Sequence, residues 1–288
     1  MKQWTAADLP SFAGRTVVIT GANSGLGAET ARELCRVGAK VIVAVRDTAK
    51  GAVAAQQMVG DVEVRHLDLQ DLSSVRAFAD GIDAADVLIN NAGIMAVPYS
   101  QTVDGFESQI GTNHLGHFAL TNLLLPKLTD RVVTVSSLTH WRGGLDVDDL
   151  NWMTRSYSPY LAYSASKLAN LLFTARLQRL VSASGSAVRA LAAHPGYSHT
   201  NLVKTDGNHY GDVLARATTM FATDAAFGAR QTLYAASQHI PGDTFIGPRF
   251  GMRGRTQPVA RSSAAKNPTT ADALWTVSAE LTKTDFPL

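Results

Sequence analysis

Apolar residues fall along this chain in short consecutive runs, separated by longer stretches in which they recur at helical spacing. The runs at 16–20, 40–45, 62–67, 87–90, 131–136, 188–193 and 244–246 predict seven strands. Their apolar positions are consecutive rather than alternating, which is the pattern of strands covered on both faces. Helical patterns occupy the intervals near 25–37, 49–58, 72–80, 105–128, 160–182, 223–237 and 270–282. Such regular alternation requires parallel strands joined by right-handed crossovers. The fold expected is therefore α/β: a doubly wound, mostly parallel seven-stranded sheet flanked by helices. With no internal repeat and no Ser/Gly-rich linker, residues 1–288 read as a single domain.

Two segments break the rhythm. Residues 139–159 form an unusually long polar stretch between a strand end and the next helix, and 197–222 follow a His-Pro-Gly turn without clear periodicity. Long irregular segments inside a compact domain often serve as pocket walls or lids, although surface decoration has the same look. Composition narrows the function classes further. At 45% hydrophobic and 17% charged the chain can bury a large core, and a net charge of +2 gives no general attraction to nucleic acid or anionic membranes. Cys35 is the single cysteine and reads as a buried thiol in a helix. No signal peptide, membrane anchor or metal-ligand spacing is apparent, so a cytoplasmic protein without a catalytic metal is expected. Arg249, Arg253, Arg255 and Arg261 cluster after the last strand without interleaved aromatics. That favours a solvated loop or a pocket rim over a nucleic-acid arm.

The first strand runs into Thr20-Gly21-Ala22-Asn23-Ser24-Gly25-Leu26-Gly27, and a helical pattern begins at once. Gly21 suits a tight turn, Gly25 a close backbone approach to a ligand, and Gly27 close helix–strand packing, so a pyrophosphate would meet the free N–H groups of that helix. The second strand ends at Val45-Arg46-Asp47. Arg46 would pair with a ribose 2′-phosphate and favours NADP, while Asp47 keeps NAD open through its reach to ribose hydroxyls. Asp68, followed by Leu69, could accept from an adenine amino group or belong to a helix N-cap region. In Asn90-Asn91-Ala92-Gly93 the small residues Ala92 and Gly93 would let a cofactor cross the sheet edge, and Asn90 could equally be a turn former.

Tyr163 and Lys167 are four residues apart and share one face of a helix. A phenol is a poor acid–base group at neutral pH, with an unperturbed pKa of ~10, and a neighbouring ammonium favours its ionised form. Ser137, at the tip of the fifth strand, could hold a substrate oxygen near that phenol. Asn113 lies between Thr112 and His114, close to Gly116, in an otherwise apolar helical pattern. Asn and Gly are poor interior helix residues, so a local distortion is expected there.

Taken together, Thr-Gly-x-x-x-Gly-x-Gly, Asn-Asn-Ala-Gly, the Asn113 site, Ser136-Ser137, Tyr-x-x-x-Lys and His-Pro-Gly resemble, in order, the short-chain dehydrogenase/reductase family with its Rossmann-type fold. That resemblance implies Tyr163 as general acid/base, Lys167 on the nicotinamide ribose, Ser137 as the catalytic serine and Asn113 holding a proton-relay water. It places Pro195, Gly196 and Thr200 beside the nicotinamide carboxamide. Trp4, Leu9-Pro10, the residues around Tyr163 and Lys167, and Leu274-Trp275-Thr276-Val277-Ser278 are similar to the retinol dehydrogenase-like branch. Members of that branch act on lipophilic alcohols, aldehydes or ketones. The expected activity is hydride transfer between NADP(H) and a small-molecule carbonyl/alcohol substrate, with homo-oligomer formation left open. A non-catalytic regulator that senses nicotinamide redox state is the rival from another class.

Overall fold

The computed structural model describes residues 3–196 and 225–288. Among the described residues, eight strands form one sheet in the order β3-β2-β1-β4-β5-β6-β7-β8. Their ranges are β1 Thr16–Thr20, β2 Lys40–Val45, β3 Asp61–His66, β4 Ala85–Asn90, β5 Leu128–Val135, β6 Arg189–Ala193, β7 Phe245–Pro248 and β8 Thr256–Pro258. Strands β1 to β7 pair in parallel, and the chain order reverses between β1 and β4, which opens a crevice at the strand C-termini.

The eighth strand corrects the expected count of seven. β8 pairs antiparallel with β7 through Ile246–Pro258, Gly247–Gln257 and Pro248–Thr256. Its sequence, Thr-Gln-Pro, is too short and polar to leave an apolar run, and its proline is tolerated because the strand is an edge.

Among the described residues the helices are α1 Gly25–Arg36, α2 Thr48–Ala55, α3 Leu72–Asp80, α4 Ser108–Ile110, α5 Gly116–Leu124, α6 Pro159–Ala183, α7 Ala225–Ser237 and α8 Pro268–Thr282. Strand pleating divides the core in two. Val17, Ile19, Val41 and Val43 face a cluster with Leu34 of α1 and Leu233 of α7. Val18, Ile42 and Leu88 face the opposite one, built on Phe118 of α5, Leu172 of α6 and Leu274 of α8. In that second layer Trp275 stacks on Phe173 (centroids 5.8 Å, planes 10° apart) and meets Phe118 edge-on at 4.8 Å, which seats α8 against α5 and α6.

The stretch 105–128 is not one helix. Between α4 and α5 the chain makes a π-turn over Gly111–Leu115, closed by the Gly116 N–H donating to the Gly111 carbonyl. Downstream, Pro126 tightens the end into a short 3-10 turn at Leu125–Lys127, and β5 starts directly at Leu128. The irregularity anticipated at Asn113 thus takes the form of a widened helical turn, and it lies directly beneath the candidate site.

Candidate active site

A cavity of about 310 Å³ lies at the crevice, lined by Gly21, Asn23, Ser24, Gly25, Leu26, Gly27, Arg46, Asp68, Leu69, Ala92 and Gly93 among others. Gly21 (φ 68°) and Gly25 (φ 56°) adopt left-handed backbone, so the turn needs glycine at both positions. A Cβ on Gly27 would sit 2.6 Å from the Gly21 carbonyl oxygen, so α1 can approach the turn this closely only without a side chain there. Ser24 precedes α1 without a side-chain cap, which leaves the first N–H groups of the helix open toward the cavity. That is the arrangement a pyrophosphate requires.

At the far end of the cavity, Arg46 is exposed, and Asp47 is committed elsewhere. The Asp47 carboxylate caps α2 by accepting from the Lys50 N–H at 3.0 Å and also pairs with the Lys50 ammonium at 3.0 Å. Asp68 accepts from the Gln70 N–H at 2.9 Å through one carboxylate oxygen. Four further polar residues line the cavity that sequence reasoning did not assign to it: Lys50, Gln70, Asn91 and Thr112. A basic residue four positions past Arg46 was the available signal for Lys50. Asn91, rather than Asn90, braces the turn, its side-chain amide donating to the Thr20 carbonyl at 2.8 Å. The Asn90 side chain points into the core instead and donates to Thr121 at 2.9 Å.

Where the cavity wall ends at Gly93, the second group of candidates begins. A Cβ on Gly93 would lie 3.0 Å from Asn113 Oδ1 and 3.4 Å from Lys167 Nζ. Asn113 is fully buried and doubly tied to Ile94, accepting from its N–H at 2.9 Å and donating to its carbonyl at 3.0 Å. It also donates to Ser166 Oγ at 2.9 Å, beside Lys167. Tyr163 and Lys167 are buried on α6, with the ammonium 5.6 Å from the phenol ring centroid. Lys167 Nζ donates to the Val135 carbonyl at 3.1 Å, so its direct hydrogen bond goes to the end of β5 rather than to the phenol.

Burial acts on these two groups in opposite directions. It pushes the Tyr163 phenol up to about 12, opposed by a hydrogen bond from Ser137, and brings the Lys167 ammonium down to about 8. Ser137 lies just past β5 and caps a 3-10 turn, Leu138–Arg142, by accepting from the Thr139 N–H at 3.2 Å. His140 donates back to the Ser137 carbonyl at 2.7 Å and accepts from the Ser262 N–H at 3.1 Å, which fixes its neutral tautomer. Pro195 and Gly196 follow β6 along the same sheet edge. Gly196 is left-handed (φ 76°) and presses on the β7–β8 connection, where a Cβ would stand 2.8 Å from the Met252 carbonyl oxygen. Thr200 and the segment 197–222 lie outside the described residues.

Residues 143–158 are tied down at several points. Asn151 accepts from the Glu107 N–H at 2.9 Å, and the Tyr157 hydroxyl donates to the buried Glu107 carboxylate at 3.0 Å. Asp149 accepts from Thr154 Oγ1 at 2.8 Å within the loop. No metal-binding group of His, Cys, Asp or Glu occurs among the described residues.

A short chain dehydrogenase family model matches residues 15–148. Human retinol dehydrogenase 13 is 41% identical, with 95% of this chain and 86% of that protein covered. Human retinol dehydrogenase 12 is 44% identical, with 93% and 86% covered. The chain belongs to the short-chain dehydrogenase/reductase family, in its retinol dehydrogenase-like branch. Members of this family are oxidoreductases that bind nicotinamide cofactors. Among solved structures, an uncharacterized protein from Mycobacterium Paratuberculosis is similar over 100% of both chains, with 71% identity and a TM-score of 0.91. The Pseudomonas aeruginosa RhlG/NADP active-site complex shares the family fold at a TM-score of 0.65 and 22% identity, covering 82% of this chain and 95% of that one. No helix among the described residues is long and apolar enough to cross a membrane.

Proposed function

We propose that this dehydrogenase/reductase transfers hydride between NADP(H) and a lipophilic carbonyl/alcohol pair, with Tyr163 as the general acid/base. The observation that carries the reading is the buried Tyr163 phenol, one helical turn from Lys167 and with Ser137 near enough to oppose the rise of its pKa, next to the glycine-lined cavity. The residues present fit a dinucleotide. The uncapped start of α1 would receive the pyrophosphate, Asp68 the adenine, and the Lys167 ammonium, close to Gly93 at the end of the cavity wall, the nicotinamide ribose.

Preference for NADP rests on charge. Arg46 is exposed in the cavity wall with Lys50 nearby, and the Asp47 carboxylate, which would otherwise favour unphosphorylated ribose, is occupied by α2 and Lys50. A guanidinium engages a 2′-phosphate through paired N–H donors.

When bound, the nicotinamide supplies or accepts the hydride. The protein contributes position and a proton. In reduction, Tyr163 Oη holds the proton that the developing alkoxide takes, and Ser137 Oγ donates to the same oxygen and keeps it in reach. Lys167, charged below a pH of about 8, provides positive potential at the site and a donor for ribose. The acyl or alkyl part of the substrate would meet apolar surface. Trp141 lies four residues beyond Ser137, Leu161 precedes Tyr163 by two, and both side chains are exposed. The segment 139–159, tethered through Asn151 and Tyr157 to Glu107, would act as a fixed pocket wall in this reading. The relatives named retinol dehydrogenases point to the same class of lipophilic alcohol.

The test is titration with NADPH and NADH, followed by turnover on a panel of lipophilic aldehydes, ketones and secondary alcohols. Tighter binding of NADPH, lost in Arg46→Ala together with the preference, and reduction of at least one carbonyl are expected. Tight NADPH binding with no turnover across the panel would instead mark a redox sensor.

A further inference from the structure

His117 lies under the site, 2% exposed, and takes no part in the proton transfer described above. Its two ring nitrogens join the two halves of the site. Nε2 is 2.8 Å from Thr20 Oγ1, at the end of β1, and Nδ1 is 3.1 Å from the Asn113 carbonyl oxygen in the π-turn.

The proton positions follow from counting donors and acceptors. Thr20 Oγ1 accepts from the Asn91 N–H at 3.0 Å and the Ala92 N–H at 3.0 Å, which uses both of its lone pairs. Its own hydrogen must therefore point at an acceptor, and His117 Nε2 at 2.8 Å is nearer than the Ile89 carbonyl at 3.4 Å. With Nε2 accepting, the ring hydrogen sits on Nδ1 and is donated to Asn113. Every hydrogen bond in the chain then runs one way, from the Asn91 and Ala92 amides through Thr20 and His117 to Asn113.

We propose that His117 is a positioning residue that, as the neutral Nδ1–H tautomer, locks the cofactor turn after β1 to the π-turn carrying Asn113, and so fixes the Ala92–Gly93 bend over which the cofactor crosses. The inference rests on the cofactor site described above. Burial depresses the imidazole to about 4, opposed by the bond to Asn113 and reinforced by the charge on Lys167, so the neutral form persists at working pH. The Asn113 side chain extends the lock through Ile94 and through Ser166, whose hydroxyl donates to the Tyr163 carbonyl at 2.7 Å. Since Gly93 has so little room between Asn113 Oδ1 and Lys167 Nζ, a displacement of Asn113 by a few tenths of an ångström would reach the cofactor path directly.

The full chain is tested as His117→Leu, which removes both hydrogen bonds, and His117→Gln, whose amide can accept from Thr20 and donate to Asn113. NADPH affinity is read by fluorescence titration, turnover on the best carbonyl of the panel, and folding by circular dichroism at the assay temperature. His117→Leu should weaken NADPH binding and lower kcat, each by roughly ten- to a hundredfold, while His117→Gln recovers most of both. If His117→Leu does not fold, Thr20→Val takes its place: it should show the same paired loss, and Thr20→Ser should not. Binding and turnover within about twofold of wild type in folded His117→Leu would overturn the proposal, as would a Gln variant no better than Leu. A wild-type protein that binds NADPH but reduces no carbonyl would sink the catalytic reading alone, since the affinity arm still decides the role of His117. A wild type that binds no nicotinamide cofactor would overturn both.

Discussion

Tyr163 and Lys167 occupy one face of one helix, and burial makes the phenol a weaker acid while it makes the ammonium a stronger one. A phenol held up at about 12 keeps its proton at neutral pH, which suits it to protonate an alkoxide during reduction. A lysine brought down to about 8 keeps its charge only below that pH. For carbonyl reduction, log kcat/KM should therefore be level through neutrality and fall as pH rises through about 8, where Lys167 loses its proton. In Lys167→Arg, whose guanidinium does not titrate in this range, the fall should disappear even if the plateau is lower. A wild-type profile that stays level to well above pH 9 would show that Lys167 does not set the limb. The site was legible at this scale wherever a residue type is chemically demanding. Glycines at left-handed positions, the Tyr–Lys spacing and the Arg46 strand end could all be read from sequence. Asn91 and His117 could not, because their roles depend on which way a side chain turns at a strand end or helix face. The Asn90–Asn91 pair shows this directly: identical neighbours, one braced on the cofactor turn and the other donating to Thr121 in the core.

Among the elements, the parallel strands and long helices follow the apolar pattern, and the departures have local causes. β8 is missed because pairing with β7, not its own hydrophobicity, makes it a strand. The segment from α4 to α5 reads as one helix because its apolar spacing continues through the π-turn, while Gly111, Asn113 and Gly116 mark where it widens. α8 is the clearest case of an element defined by its packing partner. Trp275 is only 7% exposed and inserts against Phe118 and Phe173, and its indole N–H donates to Asp285 at 2.8 Å. Trp275→Ala should cost about 3–5 kcal/mol, because it removes a large buried surface and leaves a cavity between three helices. Urea denaturation measures this as a lower midpoint at similar slope. A loss below about 1 kcal/mol would mean that α8 is not held by this contact.

Over the whole molecule, the strand ends collect the chemistry on one edge of the sheet while the interior holds several histidines in the neutral form. Burial depresses His114 to about 3, His117 to about 4 and His194 to about 3. An unfolded chain takes up protons on these residues below a pH of ~6.5, and the folded chain refuses them until much lower pH, so acid favours unfolding. Stability should be full above that pH and decline as pH falls toward 4, by ~1.4 kcal/mol per pH unit for each histidine. A urea midpoint unchanged between about pH 7 and pH 5 would contradict this. If the buried Tyr163 phenol supplies the proton for hydride transfer, Tyr163→Phe must remove that proton source, because it deletes one oxygen and little else. NADPH binding and carbonyl turnover should be measured side by side for the wild type and this variant. An NADPH dissociation constant within about threefold of wild type and turnover reduced by about two to four orders of magnitude are expected. Reduction by Tyr163→Phe at close to the wild-type rate would contradict that role for the phenol.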